Sequence, residues 1–173
     1  NLIFENGVNK KIDLPGNIKV KKTYNKFIIK KGNFEKDFKQ YKLTLEIPDS
    51  LILPDGKKIK AELLSIESLL KKDNWKSLMK EDYICICDAS NISLPLIIRN
   101  RRKGDKFQPL GMTGTKKIKD FFIDEKISPQ RREKISLVTD NSGKIIWVGG
   151  LRINEKFKVT EKTKKVLKIV LYP

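Results

Sequence analysis

Residues 99–134 read RNRRKGDKFQPLGMTGTKKIKDFFIDEKISPQRREK, and twelve of these 36 residues are Lys or Arg against five Asp or Glu. The stretch leaves an apolar run, Leu94-Pro95-Leu96-Ile97-Ile98, which has the composition of a buried strand. Arg99, Arg101, Arg102, Lys103 and Lys106 then crowd a turn at Lys103-Gly104-Asp105. In an extended chain Arg99 and Arg101 share one face and Arg102 points away. A loop follows at Gln108–Gly114, and its glycines permit positive φ. Thr115 is placed to cap a helix starting at Lys116, in which Ile118, Phe121 and Phe122 fall at i, i+3 and i+4 on one apolar face. Ser128-Pro129 starts a second short helix, Ser as N-cap and Pro in its first turn, and that helix carries Arg131 and Arg132.

Lys116, Lys117 and Lys119 stand on the first turn of the first of these helices. A helix N-terminus exposes unpaired N–H groups and about half a positive charge, so lysines there repel the dipole. A bound anion turns that cost into a gain, and phosphate is an anion that helix N-termini hold well. A solvated lysine face in a lysine-rich protein is the alternative. Asp105 and Asp120 are placed to orient Arg102 and Lys117.

Outward from this stretch the chain reads as strands. Before it they are expected at Leu2–Glu5, Ile18–Lys22, Lys26–Lys31, Tyr41–Ile47, Lys58–Glu67 and Tyr83–Asp88, with turn signals at Asn6-Gly7, Pro15-Gly16, Gly32-Asn33, Pro48-Asp49 and Pro54-Asp55-Gly56. Leu69–Lys80 is ambiguous between a short helix and an irregular excursion. After it come Ile135–Thr139 and Lys144–Val148, joined by the hairpin turn Asp140-Asn141-Ser142-Gly143, and a closing strand over Thr163–Leu171. Trp147 alternates with apolar neighbours and is assigned to the core. The pattern predicts an α+β fold, mostly β, with sandwich-like mixed sheets and two short helices. A division is expected at 93/94, with residues 1–93 as a supporting β-rich part and 94–173 as the binding part.

The net charge is +17 over 173 residues, with 38 basic and 21 acidic side chains. It is uneven: residues 94–173 hold 20 basic and 8 acidic groups, whereas residues 1–93 hold 18 and 13. All six arginines, Arg99, Arg101, Arg102, Arg131, Arg132 and Arg152, lie in the second half, among 32 lysines spread throughout. Arg offers a planar fork suited to phosphate and base edges where Lys offers a point charge, so their clustering points to a nucleic-acid surface. Salt bridges to Asp105, Asp120 and Glu133 are the competing account.

The absence of histidine excludes His-based acid–base catalysis, His-containing triads and His-containing zinc sites. Cys85 and Cys87 alternate with isoleucines and read as small core residues of one strand face, in a reducing compartment. No apolar run reaches the length of a membrane helix, so a cytoplasmic protein with no membrane partner is expected. The chain begins at Asn1 with a strand under way, which reads as a piece of a longer protein.

The runs Arg99-Asn-Arg-Arg-Lys-Gly-Asp105, Pro109-Leu-Gly-Met112 and Gly114-Thr-Lys-Lys-Ile-Lys-Asp-Phe-Phe122, continuing through Ile145-Ile-Trp-Val148 and Arg152, resemble the C-terminal domain of bacterial tRNA(Ile)-lysidine synthases. Ile12-Asp-Leu-Pro-Gly16 is similar to the segment just upstream in that family. The resemblance implies a domain like one in the phenylalanyl-tRNA synthetase β subunit, recognising the tRNA acceptor stem. It also implies a full-length ligase that uses ATP to join lysine to the wobble cytidine of the CAU anticodon of tRNA(Ile). The family's active site lies in an N-terminal catalytic domain with an SGGxDS signature, where ATP and Mg are expected. That signature is absent from these residues, so no cofactor and no catalytic residue is expected in them. The candidate tRNA-binding residues are Arg99, Arg101, Arg102, Lys103, Lys106, Lys116, Lys117, Lys119, Arg131, Arg132 and Arg152. The expected partners are tRNA(Ile) and the family's own catalytic domain, with a homodimer left open. An RNA-binding module of another tRNA enzyme, or a protein-interaction domain, stands as the alternative.

Overall fold

The computed structural model describes residues 11–22, 26–32, 40–71, 81 and 83–172. The strand expected at Leu2–Glu5 and most of Leu69–Lys80 lie outside the described residues. In chain order the strands are β1 (Lys11–Leu14), β2 (Ile18–Lys22), β3 (Phe27–Lys31), β4 (Lys42–Leu45), β5 (Asp49–Ile52), β6 (Lys58–Ser65), β7 (Ile84–Asp88) and β8 (Leu96–Arg99). They continue with β9 (Lys106–Phe107), β10 (Lys116–Lys117), β11 (Leu137–Thr139), β12 (Ile145–Val148), β13 (Arg152–Ile153) and β14 (Lys165–Tyr172). Three helices are described: α1 (Ile66–Leu70), α2 (Ile118–Asp124) and α3 (Pro129–Lys134).

Two sheets face each other across the main core. One is ordered β13-β12-β11-β8-β4 and the other β5-β6-β14-β7, and their ladders are antiparallel. Leu45, Leu96, Ile98, Val138, Ile146 and Trp147 from the first meet Ile59, Ala61, Cys85, Cys87, Leu167 and Ile169 from the second. β14 pairs along all eight residues with β6 and along five with β7, so it organises its sheet. Both cysteines are fully buried, as alternation predicts, and the hydrogen bond with Cys87, then burial, keeps the Cys85 thiol well above its ordinary pKa.

β8 and β12 are buried at every position rather than at every second one. At the end of β8, Arg99 is buried against Asp105, and for β12 the reason is a further apolar layer on the far side of the sheet. There Phe107, Ile118, Phe121, Phe122 and Ile127 pack on Ile135, Leu137, Ile145 and Val148. The rings of Phe107 and Phe121 meet edge to face with centroids 5.1 Å apart. Truncating the fully buried Phe122 to alanine costs about 3–5 kcal/mol by the usual cavity penalty. This layer carries the basic stretch, so packing of α2 fixes where its lysines stand.

The architecture is the mostly β, sandwich-like class expected, with particular corrections. Strands from both sides of residue 93 share both sheets: β4 pairs with β8, and β14 pairs with β6 and β7. The expected division at 93/94 therefore does not coincide with a break between sheets. Local alternation identifies a strand but not its distant partner. Asp49–Ile52 is a strand on β6 rather than only a turn. The first three strands form a separate antiparallel sheet, β1-β2-β3, whose Phe27 and Ile29 are exposed.

Candidate nucleic-acid interface

Arg99 ends β8, and its side chain is only 7% exposed. Its Nη1 and Nη2 donate to the two carboxylate oxygens of Asp105, both at 2.8 Å, and Nη1 also donates to the Asn100 carbonyl at 2.9 Å. The same carboxylate accepts the Arg102 backbone N–H at 2.6 Å. Burial alone would raise the Asp105 pKa. The Arg99 fork, the Arg102 N–H and the two cationic charges outweigh it and hold the carboxyl below its ordinary range. Asn100, also buried, accepts the Tyr41 N–H at 2.8 Å and donates to the Glu133 carbonyl at 2.9 Å. The basic turn is thus stapled to β4's entry and to the end of α3.

This corrects two expectations. Asp105 receives the side chain of Arg99, not that of Arg102. Arg99 and Arg101 do not act from a shared face: Arg101 turns to Glu133, with its Nε buried and without a hydrogen-bond partner. Arg132 donates Nε–H to the Ile127 carbonyl at 2.7 Å, closing the α2–α3 turn, and Arg152 lies 3.9 Å from Glu125. Lys116 pairs with Asp124. Neither Asp120 nor Lys117 makes an ion pair among the described residues, so Asp120 does not orient Lys117.

The helix start is also corrected. Lys116 and Lys117 are not helical; they form β10, and α2 begins at Ile118. The Ile118 N–H donates to the Asp105 carbonyl at 2.9 Å. With its first donor already taken and only seven residues in length, α2 offers no anion site of the kind expected from its lysines. What replaces it is a ladder geometry. Lys106 and Lys117 stand directly opposite each other across β9 and β10. Both are exposed, and like charges in that register destabilise a ladder. Arg102, Lys103 and Lys119 are exposed as well. None of these five cations makes an ion pair among the described residues.

The adjacent loop is held from the other side. The Gly111 N–H donates to Glu155 at 2.8 Å, the Leu110 N–H to the Ile153 carbonyl at 3.0 Å, and the Glu155 N–H to the Gln108 carbonyl at 2.7 Å. The hydrogen bond from Gly111, then that from Lys158, lowers the Glu155 pKa. Arg131 is exposed and opens onto a cavity of about 290 Å³ lined by Lys57, Tyr83, Lys134, Gly149, Gly150 and Leu171 among others. Lys57 immediately precedes β6 and Tyr83 immediately precedes β7, both in the opposite sheet, and nothing in their local sequence marked them.

In class, then, this is an antiparallel β-sandwich that presents a basic loop-and-helix face. A family model described as the TilS substrate C-terminal domain matches residues 96–170. The chain is 39% identical over 167 residues to the tRNA(Ile)-lysidine synthase of Caldanaerobacter subterraneus subsp. tengcongensis, covering 96% of this chain and 34% of that protein. It is 33% identical over 164 residues to the bifunctional protein TilS/HprT of Listeria monocytogenes serotype 4b, covering 95% and 24%. A solved TilS C-terminal domain superposes with a TM-score of 0.64 at 30% identity, covering 78% of this chain and 97% of that one. The chain belongs to the TilS C-terminal domain family. It spans about a third or less of the length of the curated relatives it matches.

Proposed function

We propose that this chain is the non-catalytic, tRNA-binding C-terminal region of a tRNA(Ile)-lysidine synthase, engaging the acceptor stem of the substrate tRNA. The ligase chemistry, which uses ATP to join lysine to the wobble cytidine of the CAU anticodon, is assigned to a catalytic domain beyond these residues. The observation that carries the reading is the set Arg102, Lys103, Lys106, Lys117 and Lys119. These cations are exposed, make no ion pair among the described residues, and include two lysines directly opposed in a ladder. A phosphate backbone relieves that repulsion.

Each part has a physical role. The Arg99–Asp105 pair sets the turn, and the turn presents Arg102 and Lys103. The β9–β10 ladder presents Lys106 and Lys117, and α2 presents Lys119. A-form RNA offers phosphates and 2′-hydroxyls on a shallow minor groove, so shape and backbone contact suit this surface. Arg101, Arg132, Arg152 and Lys116 support the surface through their protein partners.

The test is a salt titration of the chain with an RNA hairpin. If five phosphates are neutralised, log K falls with log[salt] with a slope of roughly −3.5 to −4.5. Lys117→Ala reduces that slope by about one. A flat response to salt overturns the reading.

A further inference from the structure

The cavity beside α3 has a composition that a phosphate surface alone does not require. We propose that it holds one unstacked nucleotide of the bound RNA, the base on the Tyr83 ring and the phosphate on Arg131 and Lys134. The inference rests on the RNA-binding reading above.

Arg131 and Lys134 are three residues apart on α3 and share a face. Both are exposed, and neither makes an ion pair among the described residues. Lys57 joins them, with its charge shared by Asp55 at 2.7 Å. Two uncompensated cations match one phosphate. No carboxylate lines the cavity among the described residues.

Ile135, Leu151, Leu171 and the Tyr83 ring give the cavity an apolar side, with Ser136 and the two glycines completing the lining. Tyr83 is 44% exposed, an aromatic ring left open in a cationic setting. Its backbone is fixed, because the Leu171 N–H donates to its carbonyl at 2.9 Å. The two glycines keep ring and floor in place. Gly150 has φ +70°, and a Cβ there would sit 3.4 Å from the Tyr83 ring. A Cβ on Gly149 would come within 2.9 Å of the Ser136 carbonyl. A phosphate site would have no use for the ring, and an apolar ligand would have none for Arg131 and Lys134. Aromatic platforms flanked by cations are how proteins hold unpaired bases. The volume of about 290 Å³ lies at the small end for ligand sites, which suits one nucleotide rather than a stacked run.

The experiment compares two RNA hairpins on the full 173-residue chain, one blunt and one with a four-nucleotide single-stranded 3′ extension. The extension tightens binding about tenfold in the wild type. Tyr83→Leu loses that gain, Lys134→Gln loses most of it, and Tyr83→Phe keeps it, while blunt-hairpin affinity holds within twofold in all three. A nucleoside monophosphate at millimolar concentration removes the gain, and equal inorganic phosphate does not. Equal affinity for the two hairpins in the wild type overturns the inference and leaves the RNA-binding reading standing. So does a gain retained in Tyr83→Leu, or in Lys134→Gln if the leucine variant does not fold. Equal competition by phosphate overturns the stacking role. Failure of both hairpins to bind overturns the RNA-binding reading itself and the inference with it.

Discussion

At the base of the turn after β8, the Arg99 side chain is 7% exposed and both ends of its fork are bonded to Asp105. Seven residues later Lys106 faces Lys117 across a two-residue ladder, with both side chains exposed. The two sites belong to the same basic stretch and use charge in opposite ways. At Arg99 the cation is spent inside the protein, where a planar fork matches a carboxylate. At Lys106 and Lys117 the cations are set against each other and left for something outside. The clustering of arginines in the sequence thus has mainly a structural cause: Arg99, Arg101, Arg132 and Arg152 each meet a protein acceptor or carboxylate. The lysines carry more of the outward charge.

The largest effect follows from breaking the inward site. Arg99→Ala leaves the Asp105 carboxylate in a largely buried place without its partner, and costs about 3 kcal/mol of folding stability. Denaturant unfolding measures it. Arg99→Lys recovers only part, because an ammonium cannot bridge both oxygens. If Arg99 instead contacted RNA with no structural role, Arg99→Ala would weaken RNA binding and leave the unfolding midpoint unchanged.

A second, smaller effect is the pH dependence of the same pair. The folded Asp105 pKa lies below the ordinary carboxylate value near 3.9. A depressed folded pKa contributes stability that is fully present above the unfolded value and is lost as pH falls through the folded value. The wild type therefore exceeds Asp105→Asn in stability by about 2 kcal/mol at neutral pH. That gap stays level down to about pH 5 and narrows below about pH 4. Unfolding midpoints from pH 3 to 7 measure it. A gap independent of pH would mean that the charge on Asp105 contributes nothing.

Much of the fold was legible because its cause is local. The apolar runs at Leu96–Ile98, Ile145–Val148 and Val166–Leu171 became strands, and Cys85, Cys87 and Trp147 became core. Ser128-Pro129 began α3 where expected. What was not legible depends on contacts made from afar. Thr115 has the chemistry of a helix cap, yet Lys116 and Lys117 pair with Phe107 and Lys106 instead, and the helix waits until Ile118. Glu133 was a candidate salt-bridge partner for the arginines, but that it would take Arg101, 32 residues away, no spacing rule could say. The candidate surface was legible as a composition, but which cations face outward was not. Lys57 and Tyr83, which complete the cavity with α3, come from distant parts of the chain.

The smallest expected effect is the sharpest test of the contrast, because its two readouts move in opposite directions. Lys106→Glu converts the like-charge pair with Lys117 into an opposite-charge pair in the same register. Repulsion across the ladder becomes attraction, so the free protein gains roughly 0.3 kcal/mol, a modest figure because the pair is exposed and screened. Binding to an RNA hairpin weakens, since one phosphate contact is lost and a second cation is now engaged by the new carboxylate. The salt slope should fall by roughly one to two. Thermal unfolding and a salt series on the same variant give both readouts. A variant destabilised as well as weakened would mean that Lys106 has an inward role like that of Arg99. A variant stabilised but unchanged in RNA affinity would mean that the opposed lysines are not part of the RNA surface, and would return the choice to Arg102, Lys103 and Lys119.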